Sequence, residues 1–323
     1  MGHEVVVELV RSGIVEGRHH GTVVATDAAG ALDWAVGDPG AVLQPRSCNK
    51  PLQAVAMVRS GLDLPSHLLA LAAASHSGEP FHVEGVREIL ASVGLREMAL
   101  GNPVDWPLDR EAERELVRSG GVASKVHMNC SGKHAAMLAT CVVNDWPLSG
   151  YLQPQHPLQQ AIRDTFVELT GRPVGHDAVD GCGAPLLGTS ALGLARAFRA
   201  LAVSDALTPE GRVAAAIRQF PEYVSGSRRD ELAFLAALPG AIGKFGAEAC
   251  HVLALADGRA FVVKIEDGGD RARPVALAAA LARSGVLEDP GVDSAALQAL
   301  ARVDLLGGQH VVGEVRATSA VTG

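Results

Sequence analysis

Both ends of the chain carry short apolar runs that alternate with polar residues or are bounded by glycine-bearing turns, which is the pattern of β-strands. The predicted strands, in chain order, are Val5 to Leu9, Gly21 to Thr26, Ala31 to Val36, Cys250 to Ala256, Ala260 to Ile265 and Val311 to Arg316. The turn Asp257-Gly258 between two of these strands predicts a β-hairpin.

The middle of the chain instead carries apolar residues three and four positions apart, which is typical of helices. One helix is predicted directly after Ser47. The other predicted helices are Leu64 to Ala74, Glu79 to Val93, Arg110 to Arg118, Ala135 to Val143, His156 to Thr170, Leu187 to Ala202, Pro209 to Phe220, Arg229 to Leu238, Val275 to Ser284 and Ser294 to Arg302. Strands at both ends with helices between them predict an α+β fold with an antiparallel sheet built from both chain ends. We expect a single folding unit with a sheet lobe at about 1–45 and 240–323 and an inserted helical lobe at about 46–239.

Composition narrows the class of protein. Of 323 residues, 48% are hydrophobic and 20% are charged, as expected for a globular protein with a large core. No apolar run approaches the ~18 residues that span a bilayer. The 28 basic and 36 acidic residues give a net charge of -8 with no basic stripe, and aromatic residues make up 4%. We therefore expect neither a membrane protein nor a nucleic-acid-binding surface.

The start of the sequence and the cysteines indicate the compartment. The first residues, MGHEVVVELVRSG, place charges inside a short apolar run and lack a small-residue cleavage site, unlike a secretory signal. The five cysteines are widely spaced and odd in number, which disfavours a disulfide framework. We expect a cytoplasmic protein whose cysteines are thiols, metal ligands or core residues.

A hydroxyl and an amine lie three residues apart at Ser47 and Lys50, just before the apolar run that starts at Leu52. If this run is helical, the spacing brings both side chains to one face of the helix start, within hydrogen-bond reach. A serine becomes a nucleophile beside a proton acceptor, and a lysine amine accepts a proton when burial or a nearby cation favours its neutral form. The pair is a candidate nucleophile and base, although a capping serine beside a solvated lysine has the same spacing.

Two further segments are candidates for the same chemistry. The segment Ser75-His76-Ser77-Gly78-Glu79 groups hydroxyls, an imidazole and a carboxylate between two predicted helices. It suits a catalytic turn, and Ser77 equally suits the N-cap of the helix that follows. The segment Lys244-Phe245-Gly246 lies at the entry of the late hairpin.

Two cysteines lie in segments that suit an ion or a ligand. In Asn129-Cys130-Ser131-Gly132-Lys133-His134, Cys130 and Lys133 lie about one turn apart at a helix N-terminus, where the helix dipole favours a thiolate. In Asp180-Gly181-Cys182-Gly183 the glycines allow a close approach to a ligand or an ion, and a plain turn with a buried cysteine has the same pattern.

These segments resemble known families. Ser47-x-x-Lys50 and Lys244-Phe245-Gly246 resemble the Ser-x-x-Lys and Lys-Thr-Gly motifs of serine β-lactamases and penicillin-binding proteins, with Phe245 in place of the hydroxyl residue. A closer resemblance, to the bacterial L-asparaginase II family (class 3 asparaginases, with a serine-β-lactamase-like fold), covers almost the whole chain. It rests on Arg46-Ser47-Cys48-Asn49-Lys50-Pro51, Ala74-Ser75-His76-Ser77-Gly78-Glu79-Pro80, Asn129-Cys130-Ser131-Gly132-Lys133-His134, Asp180-Gly181-Cys182-Gly183 and Lys244-Phe245-Gly246-Ala247-Glu248.

The resemblance implies an activity and a role for each residue. It implies hydrolysis of L-asparagine to L-aspartate and ammonia, with Ser47 as nucleophile, Lys50 as base, and Ser75 and Lys244 as a second Ser-Lys pair. It also implies a zinc ion and a homodimer. The implied zinc ligands are Cys130, Lys133 and Cys182, and the implied substrate-binding or supporting residues are Arg46, Cys48, His76, Glu79, His134 and Asp180.

Two alternatives remain open at this stage. A glutaminase or another amidase of the same fold would use the same serine chemistry, because one methylene changes pocket discrimination by only about 1–3 kcal/mol. A non-catalytic protein that binds zinc or an amino acid would keep the metal ligands and turn over no amide.

Overall fold

The computed structural model describes residues 2–323, which form two compact units. Unit 1 comprises residues 2–48, Thr189–Val203 and Ala233–Gly323, and it contains the sheet. Unit 2 comprises Asn49–Gly188 and Ser204–Leu232. Each unit is therefore assembled from separate stretches of chain, and the segment 189–203 belongs with the sheet although the order of elements had assigned it to the helical lobe.

The regular elements of residues 2–323 have the following bounds. The strands are β1 (Glu4–Arg11), β2 (Ile14–Thr26), β3 (Leu32–Val36), β4 (Val42–Leu43), β5 (His176–Val179), β6 (Pro185–Ser190), β7 (Ile242–Gly246), β8 (Cys250–Ala254), β9 (Ala260–Ile265), β10 (Val303–Gly307) and β11 (His310–Ala317). The α-helices are α1 (Lys50–Arg59), α2 (Ser66–Ala72), α3 (Pro80–Ser92), α4 (Arg110–Arg118), α5 (Ser131–Val143), α6 (Pro157–Thr170), α7 (Ala191–Val203), α8 (Pro209–Gln219), α9 (Pro221–Val224), α10 (Asp230–Ala237), α11 (Ala272–Arg283), α12 (Ser294–Leu300) and α13 (Ser319–Thr322). Short 3-10 turns lie at Arg46–Asn49, Glu97–Ala99 and Val286–Glu288. None of the helices in this part of the chain has the length and apolar character needed to cross a membrane.

An antiparallel sheet forms the body of unit 1 and confirms the predicted α+β class. In residues 2–323 its strand order is β10-β11-β1-β2-β9-β8-β7, and β3 pairs with the end of β2. The first and last strands are direct neighbours, with Val7 opposite Ala317. On the other side, Val23 of β2 lies opposite Val263 of β9. The sheet is thus built from both chain ends, as the strand pattern predicted.

Helices cover both faces of the central strands in unit 1. Successive residues of a strand point to opposite faces. Phe261 and Val263 of β9 belong to a buried cluster that includes Val275 of α11. The alternate residue Val262 is also fully buried, and α7 packs against β2, β8 and β9. Both faces of β9 are therefore inside the unit, which fixes the position of the neighbouring strands β8 and β7.

Unit 2 is built from helices around α5. This helix is buried from Ser131 to Cys141, and it packs against α1, α2, α3 and α6. Neighbouring helices thus surround α5 and enclose its polar side chains together with its apolar ones. The residues at the start of α5, which include Lys133, are consequently carried into the interior of the unit.

Three predicted elements differ from the structure by four residues or more at one end. The helix predicted from Ala135 begins at Ser131. The segment Leu187 to Ala202 was predicted as one helix, but residues 187–190 belong to β6 and the helix begins at Ala191. Residues 187–190 (Leu-Gly-Thr-Ser) are buried on both faces of β6 and show no alternation of apolar and polar residues, so periodicity does not separate them from the apolar helix that follows. The strand predicted at Gly21 to Thr26 is the second half of β2, which begins at Ile14.

Candidate active site

Ser47 lies in a constrained turn of unit 1. The 3-10 turn Arg46–Asn49 contains it and leads directly into α1. The preceding residue, Arg46, has a φ of 51°, in the left-handed region that residues with a side chain rarely adopt. Its guanidinium lies 3.7 Å from the Glu248 carboxylate. Ser47 is only 9% exposed. The candidate nucleophile is therefore largely buried and follows a strained residue, a combination common at functional sites.

Lys244 lies on β7, beside the segment that carries Ser47. The Cys48 thiol donates to the Lys244 carbonyl oxygen, with 3.1 Å between Sγ and O. Gly246 approaches the same segment so closely that a Cβ on it would lie 2.5 Å from the Pro45 carbonyl oxygen. Lys244 is fully buried, and its Nζ donates to the Phe245 carbonyl oxygen at 2.9 Å. Unit 1 thus brings the strand of Lys244 against the residue that follows Ser47.

Lys50 and Ser75 form a buried pair in unit 2. Lys50 Nζ donates to Ser75 Oγ at 2.9 Å and to the Ala74 carbonyl oxygen at 2.6 Å. The two residues are 1% and 6% exposed. Both acceptors are uncharged, so the amine is held by neutral oxygens in a site that water barely reaches.

His76 connects the loop 74–79 to the start of α5. Its Nδ1 accepts a hydrogen bond from the Gly78 N–H at 3.1 Å, which leaves the proton on Nε2. Nε2 lies 2.8 Å from the Ser131 hydroxyl, which in turn donates to the Val126 carbonyl oxygen at 2.8 Å. Burial holds the pKa of His76 well below its ordinary value. A neutral His76 therefore orients this loop.

The N-cap interpretation of Ser77 is wrong. Helix α3 begins at Pro80, and Glu79 occupies its N-cap position without a side-chain capping bond. The Ser77 hydroxyl instead donates to the Ser225 carbonyl oxygen at 2.8 Å. The Glu79 carboxylate also points away from its own helix, because it accepts hydrogen bonds from the Ser227 N–H at 2.8 Å and the Ser227 hydroxyl at 2.7 Å. The polar residues of this loop thus hold a distant segment of unit 2.

The predicted metal-binding residues form a second buried cluster in unit 2. Lys133 Nζ donates to Cys182 Sγ at 3.1 Å. Asp180 Oδ2 lies 4.0 Å from the same sulfur. Cys130 Sγ lies 3.0 Å from Asn129 Oδ1. Cys130, Lys133 and Cys182 are each at most 4% exposed. The structure therefore brings together the residues that the two glycine-bearing segments contribute.

The two cysteines of this cluster differ in protonation. The hydrogen bond from Cys130, together with the positive charge of Lys133, lowers the pKa of Cys182 far below that of an ordinary thiol, although burial opposes this shift. The bond to Cys182 and burial raise the pKa of Cys130 well above its ordinary value. The Cys130 thiol can donate its proton to Cys182 or to Asn129 Oδ1. In both arrangements the proton stays on Cys130. The Lys133 amine therefore donates to the cysteine whose pKa is lowered.

His134 follows Lys133 on α5 and is held by Tyr151. Its Nδ1 lies 2.6 Å from the Tyr151 hydroxyl, which accepts a hydrogen bond from the Gly101 N–H at 2.9 Å. The tyrosine proton is then donated to Nδ1, so the imidazole proton remains on Nε2. Burial lowers the pKa of His134, and Cys182 partly restores it. Within residues 2–323, Nε2 has no hydrogen-bond partner.

The family model described as L-asparaginase II matches residues 7–317. The chain belongs to the L-asparaginase II family. It is accordingly an asparaginase-type amidohydrolase that acts on a small-molecule substrate. No curated protein matched the sequence.

Solved structures that are similar to the chain are hydrolases of the β-lactamase and esterase type. One is a β-lactamase from Mycobacterium bovis, with 17% sequence identity and a TM-score of 0.42, covering 76% of this chain and 86% of that one. Another is EstCE1, described as a hydrolase with promiscuous acyltransferase activity, with 13% identity and a TM-score of 0.37, covering 82% of this chain and 90% of that one.

The buried cluster of this L-asparaginase II family member fits a soft metal ion when the lysine is included. In residues 2–323 no group of three or more His, Cys, Asp and Glu side chains is arranged to hold a metal. A metal would therefore bind the two sulfurs of Cys130 and Cys182 and need the Lys133 nitrogen as its third protein ligand. Burial lowers the pKa of Lys133, but the charges of the cysteines and Asp180 outweigh it and raise that pKa. Metal binding would have to release this proton.

Sequence patterns missed two residues on which this site depends. Tyr151 fixes the tautomer of His134, and Ser227 satisfies the Glu79 carboxylate. A lone tyrosine or serine in a loop carries no local signal of such a role. Only the fold brings these residues to their partners.

Proposed function

We propose that this family member hydrolyses L-asparagine to L-aspartate and ammonia, with Ser47 as the nucleophile. The observation that carries the proposal is the buried Lys50 amine, which donates to the Ser75 hydroxyl and the Ala74 carbonyl oxygen, in a chain that matches the L-asparaginase II model over residues 7–317. Membership of the family supports amide hydrolysis as the reaction. The buried Lys50 amine supports a serine nucleophile activated by a lysine.

In the first half of the reaction, Ser47 Oγ forms a bond to the side-chain amide carbon of asparagine. Its proton passes to Lys50 Nζ, which acts as a neutral base. The carbonyl oxygen gains negative charge, and backbone N–H groups near Ser47 stabilise it. The carbon–nitrogen bond then breaks, and the Lys50 ammonium returns the proton to the leaving nitrogen. Ammonia departs and leaves an aspartyl ester on Ser47.

In the second half, a water molecule attacks the ester carbon after giving a proton to the same base. The bond from Ser47 Oγ to carbon breaks, Oγ regains a proton, and aspartate is released. Ser75 orients the Lys50 amine through its hydroxyl, and Lys244 supplies the second amine of the site. The buried surroundings strengthen these charge interactions because little water screens them.

Zinc is the cofactor that we propose, held by Cys130, Lys133 and Cys182. When bound, it would hold the α-amino and α-carboxylate ends of the substrate and stabilise the shape of the pocket. The neighbouring residues support such a role: His134 and Asp180 lie around the Cys182 sulfur, where partners of metal ligands commonly orient them. We also infer a homodimer from the family resemblance, which light scattering on the purified protein tests.

A coupled ammonia assay tests the proposed reaction. We expect the purified protein to release ammonia from L-asparagine and Ser47→Ala to lose activity by about 10³-fold or more while keeping its thermal unfolding temperature. Near-full asparaginase activity in Ser47→Ala would show that the nucleophile is another residue.

The same assay identifies the substrate. Ammonia release should be faster from L-asparagine than from L-glutamine, and nitrocefin should remain intact. A preference for glutamine would indicate a glutaminase with the same serine chemistry. Tight zinc binding without turnover of either amide would indicate a binding protein.

A further inference from the structure

One distant segment holds the backbone of Ser75 on both sides. The Ser75 N–H donates to the Val224 carbonyl oxygen at 3.0 Å. The Ser75 carbonyl oxygen accepts a hydrogen bond from Arg229 Nη1, also at 3.0 Å. Both partners belong to residues 224–229, which we call the 224–229 segment. The peptide groups that flank the Ser75 side chain are thus fixed by that segment, while its hydroxyl is bonded to Lys50.

The 224–229 segment is attached to the loop 74–79 at three further points. The buried Glu79 carboxylate accepts two hydrogen bonds from Ser227. The Ser77 hydroxyl donates to the Ser225 carbonyl oxygen. Arg228 binds Asp109 through two nitrogens, at 2.5 and 3.1 Å, and the Asp109 N–H donates to the Ser77 carbonyl oxygen at 3.0 Å. Bonds to a charged carboxylate are the stronger kind, so Glu79 is the main attachment.

The packing between the two segments leaves no room for a side chain at Gly226. Its φ is 139°, which residues with a Cβ rarely adopt. A Cβ at this position would meet the Ser77 hydroxyl, lie 2.5 Å from Ser77 Cβ and lie 2.8 Å from Glu79 Oε1. The Gly226 backbone therefore packs directly against the Ser77 and Glu79 side chains. This close packing and the hydrogen bonds together hold the 224–229 segment against the loop 74–79.

We propose that Arg229 is a positioning residue for Ser75, and that the 224–229 segment, attached through Glu79, sets the position of the Ser75 hydroxyl relative to Lys50. The inference rests on the proposed function, because it assigns Arg229 to the same reaction. The guanidinium acts through the Ser75 carbonyl oxygen and does not touch the reacting atoms. A displacement of about 1 Å in a catalytic group costs up to about 10²-fold in rate, so this bond matters to turnover.

The test compares Arg229→Met and Arg229→Lys with Arg199→Met. Arg199 is a matched control because its Nε also donates to a backbone carbonyl oxygen, that of Ala28 at 2.7 Å, in unit 1. For Arg229→Met we expect kcat to fall about 10- to 100-fold with KM within twofold of the parent. Arg229→Lys keeps a cationic donor and should recover part of kcat, and Arg199→Met should keep all of it.

Hydrogen exchange measured without substrate separates this inference from the proposed function. In Arg229→Met the amides of residues 74–79 should exchange at least about tenfold faster than in the parent, because the segment that protects the Ser75 N–H is loosened. This readout does not require the reaction. If Ser47→Ala stays active, the proposed function fails, whereas unchanged exchange in Arg229→Met defeats the positioning role alone.

Ser227→Ala covers the case in which Arg229→Met does not fold. Ser227 is exposed, and the change removes only its hydroxyl bond to Glu79. We expect a smaller fall in kcat with KM unchanged and faster exchange in residues 74–79. The proposal is overturned if Arg229→Met and Ser227→Ala both have the same kcat as Arg199→Met. It is also overturned if Arg229→Met raises KM and keeps kcat, because that result is expected for an arginine that binds the substrate.

Discussion

Lys50 Nζ donates a hydrogen bond to Ser75 Oγ across 2.9 Å, and this bond joins the start of α1 to the loop before α3. Ser75→Ala removes the acceptor and leaves the amine bonded only to the Ala74 carbonyl oxygen. We expect kcat for ammonia release to fall about 10²- to 10⁴-fold, the usual range for a group that assists proton transfer. The loss of one neutral hydrogen bond should lower the free energy of unfolding by only about 1 kcal/mol.

Thr170→Val is the matched control for Ser75→Ala. The Thr170 hydroxyl is also buried in unit 2, and it donates to the Phe166 carbonyl oxygen at 2.7 Å. Removal of the Thr170 hydroxyl should lower the free energy of unfolding by a similar amount and leave kcat unchanged. Equal kcat values for the two variants in the ammonia assay would contradict a role for Ser75 in turnover.

The lowered pKa of Cys182 predicts that replacing this residue weakens metal binding. Cys182→Ser should lower zinc affinity by about tenfold or more, because even residues that only orient a ligand cost about 10- to 100-fold. Cys141→Ser is the control, since burial raises the pKa of the Cys141 thiol to about 11 and that thiol stays protonated. Elemental analysis after gel filtration and the absorption of the cobalt-substituted protein provide the measurements. Equal zinc content in both variants would rule out Cys182 as a ligand.

The close approach at Gly246 predicts a loss of stability in unit 1. In Gly246→Ala the new methyl group would lie 2.5 Å from the Pro45 carbonyl oxygen and 3.2 Å from Cys48 Sγ. Overpacking of this kind costs about 1–3 kcal/mol, which denaturant unfolding measures. We also expect lower kcat, because the shift separates the Lys244 strand from the residue after Ser47.

Gly17→Ala provides the comparison for Gly246→Ala. Gly17 is also a strand glycine of unit 1, and a Cβ there would find only Leu9 Cδ1, at 3.8 Å. Its effect on the free energy of unfolding should stay within about 0.5 kcal/mol, as for most surface substitutions. If the two variants have equal stability, the packing at Gly246 is looser than these distances indicate.

The sequence predicted the antiparallel sheet because its strands carry a local signal. The central strand β9 is recognisable from its β-branched residues and from the turn Asp257-Gly258. By contrast, residues 187–190 of β6 lack the alternation that identifies a strand, because both faces of β6 are buried. The pattern therefore predicts them as the start of the helix that follows. The pairing of β1 with β11 follows from the fold and could be expected only from the order of elements.

At the candidate site, spacing and family resemblance gave the residues but not their partners. Lys133 Nζ donates a hydrogen bond to Cys182 Sγ, and nothing in their local sequences indicates that they lie this close. The role of Arg229 cannot be predicted from the sequence, because its hydrogen bond to Ser75 joins residues 154 positions apart. Long-range hydrogen bonds depend on tertiary packing, and a single sequence with no local motif at either end does not reveal them.

The stacked imidazoles of His76 and His82 predict a loss of stability in mild acid. Burial lowers the pKa of His82 to about 4, although its bond to the Glu222 carbonyl oxygen and the charge of Glu79 oppose this. In the unfolded chain a histidine has a pKa of about 6.5, so the unfolded state takes up the proton first as the pH falls. The stability contributed by neutral His82 is complete above pH 6.5 and is lost progressively between about pH 6.5 and 4.

His82→Gln tests this dependence because glutamine keeps a donor for the Glu222 carbonyl oxygen and carries no titrating group. Between pH 7 and 5 the parent should lose about 2 kcal/mol more unfolding free energy than His82→Gln, at about 1.4 kcal/mol for each pH unit below 6.5. His20→Gln, an exposed position on β2, should keep the parent's pH dependence. Because His76 shifts in the same direction, part of the acid sensitivity must persist in His82→Gln. Parallel curves for the parent and His82→Gln would mean that folding does not change the pKa of His82, and would contradict the lowered pKa.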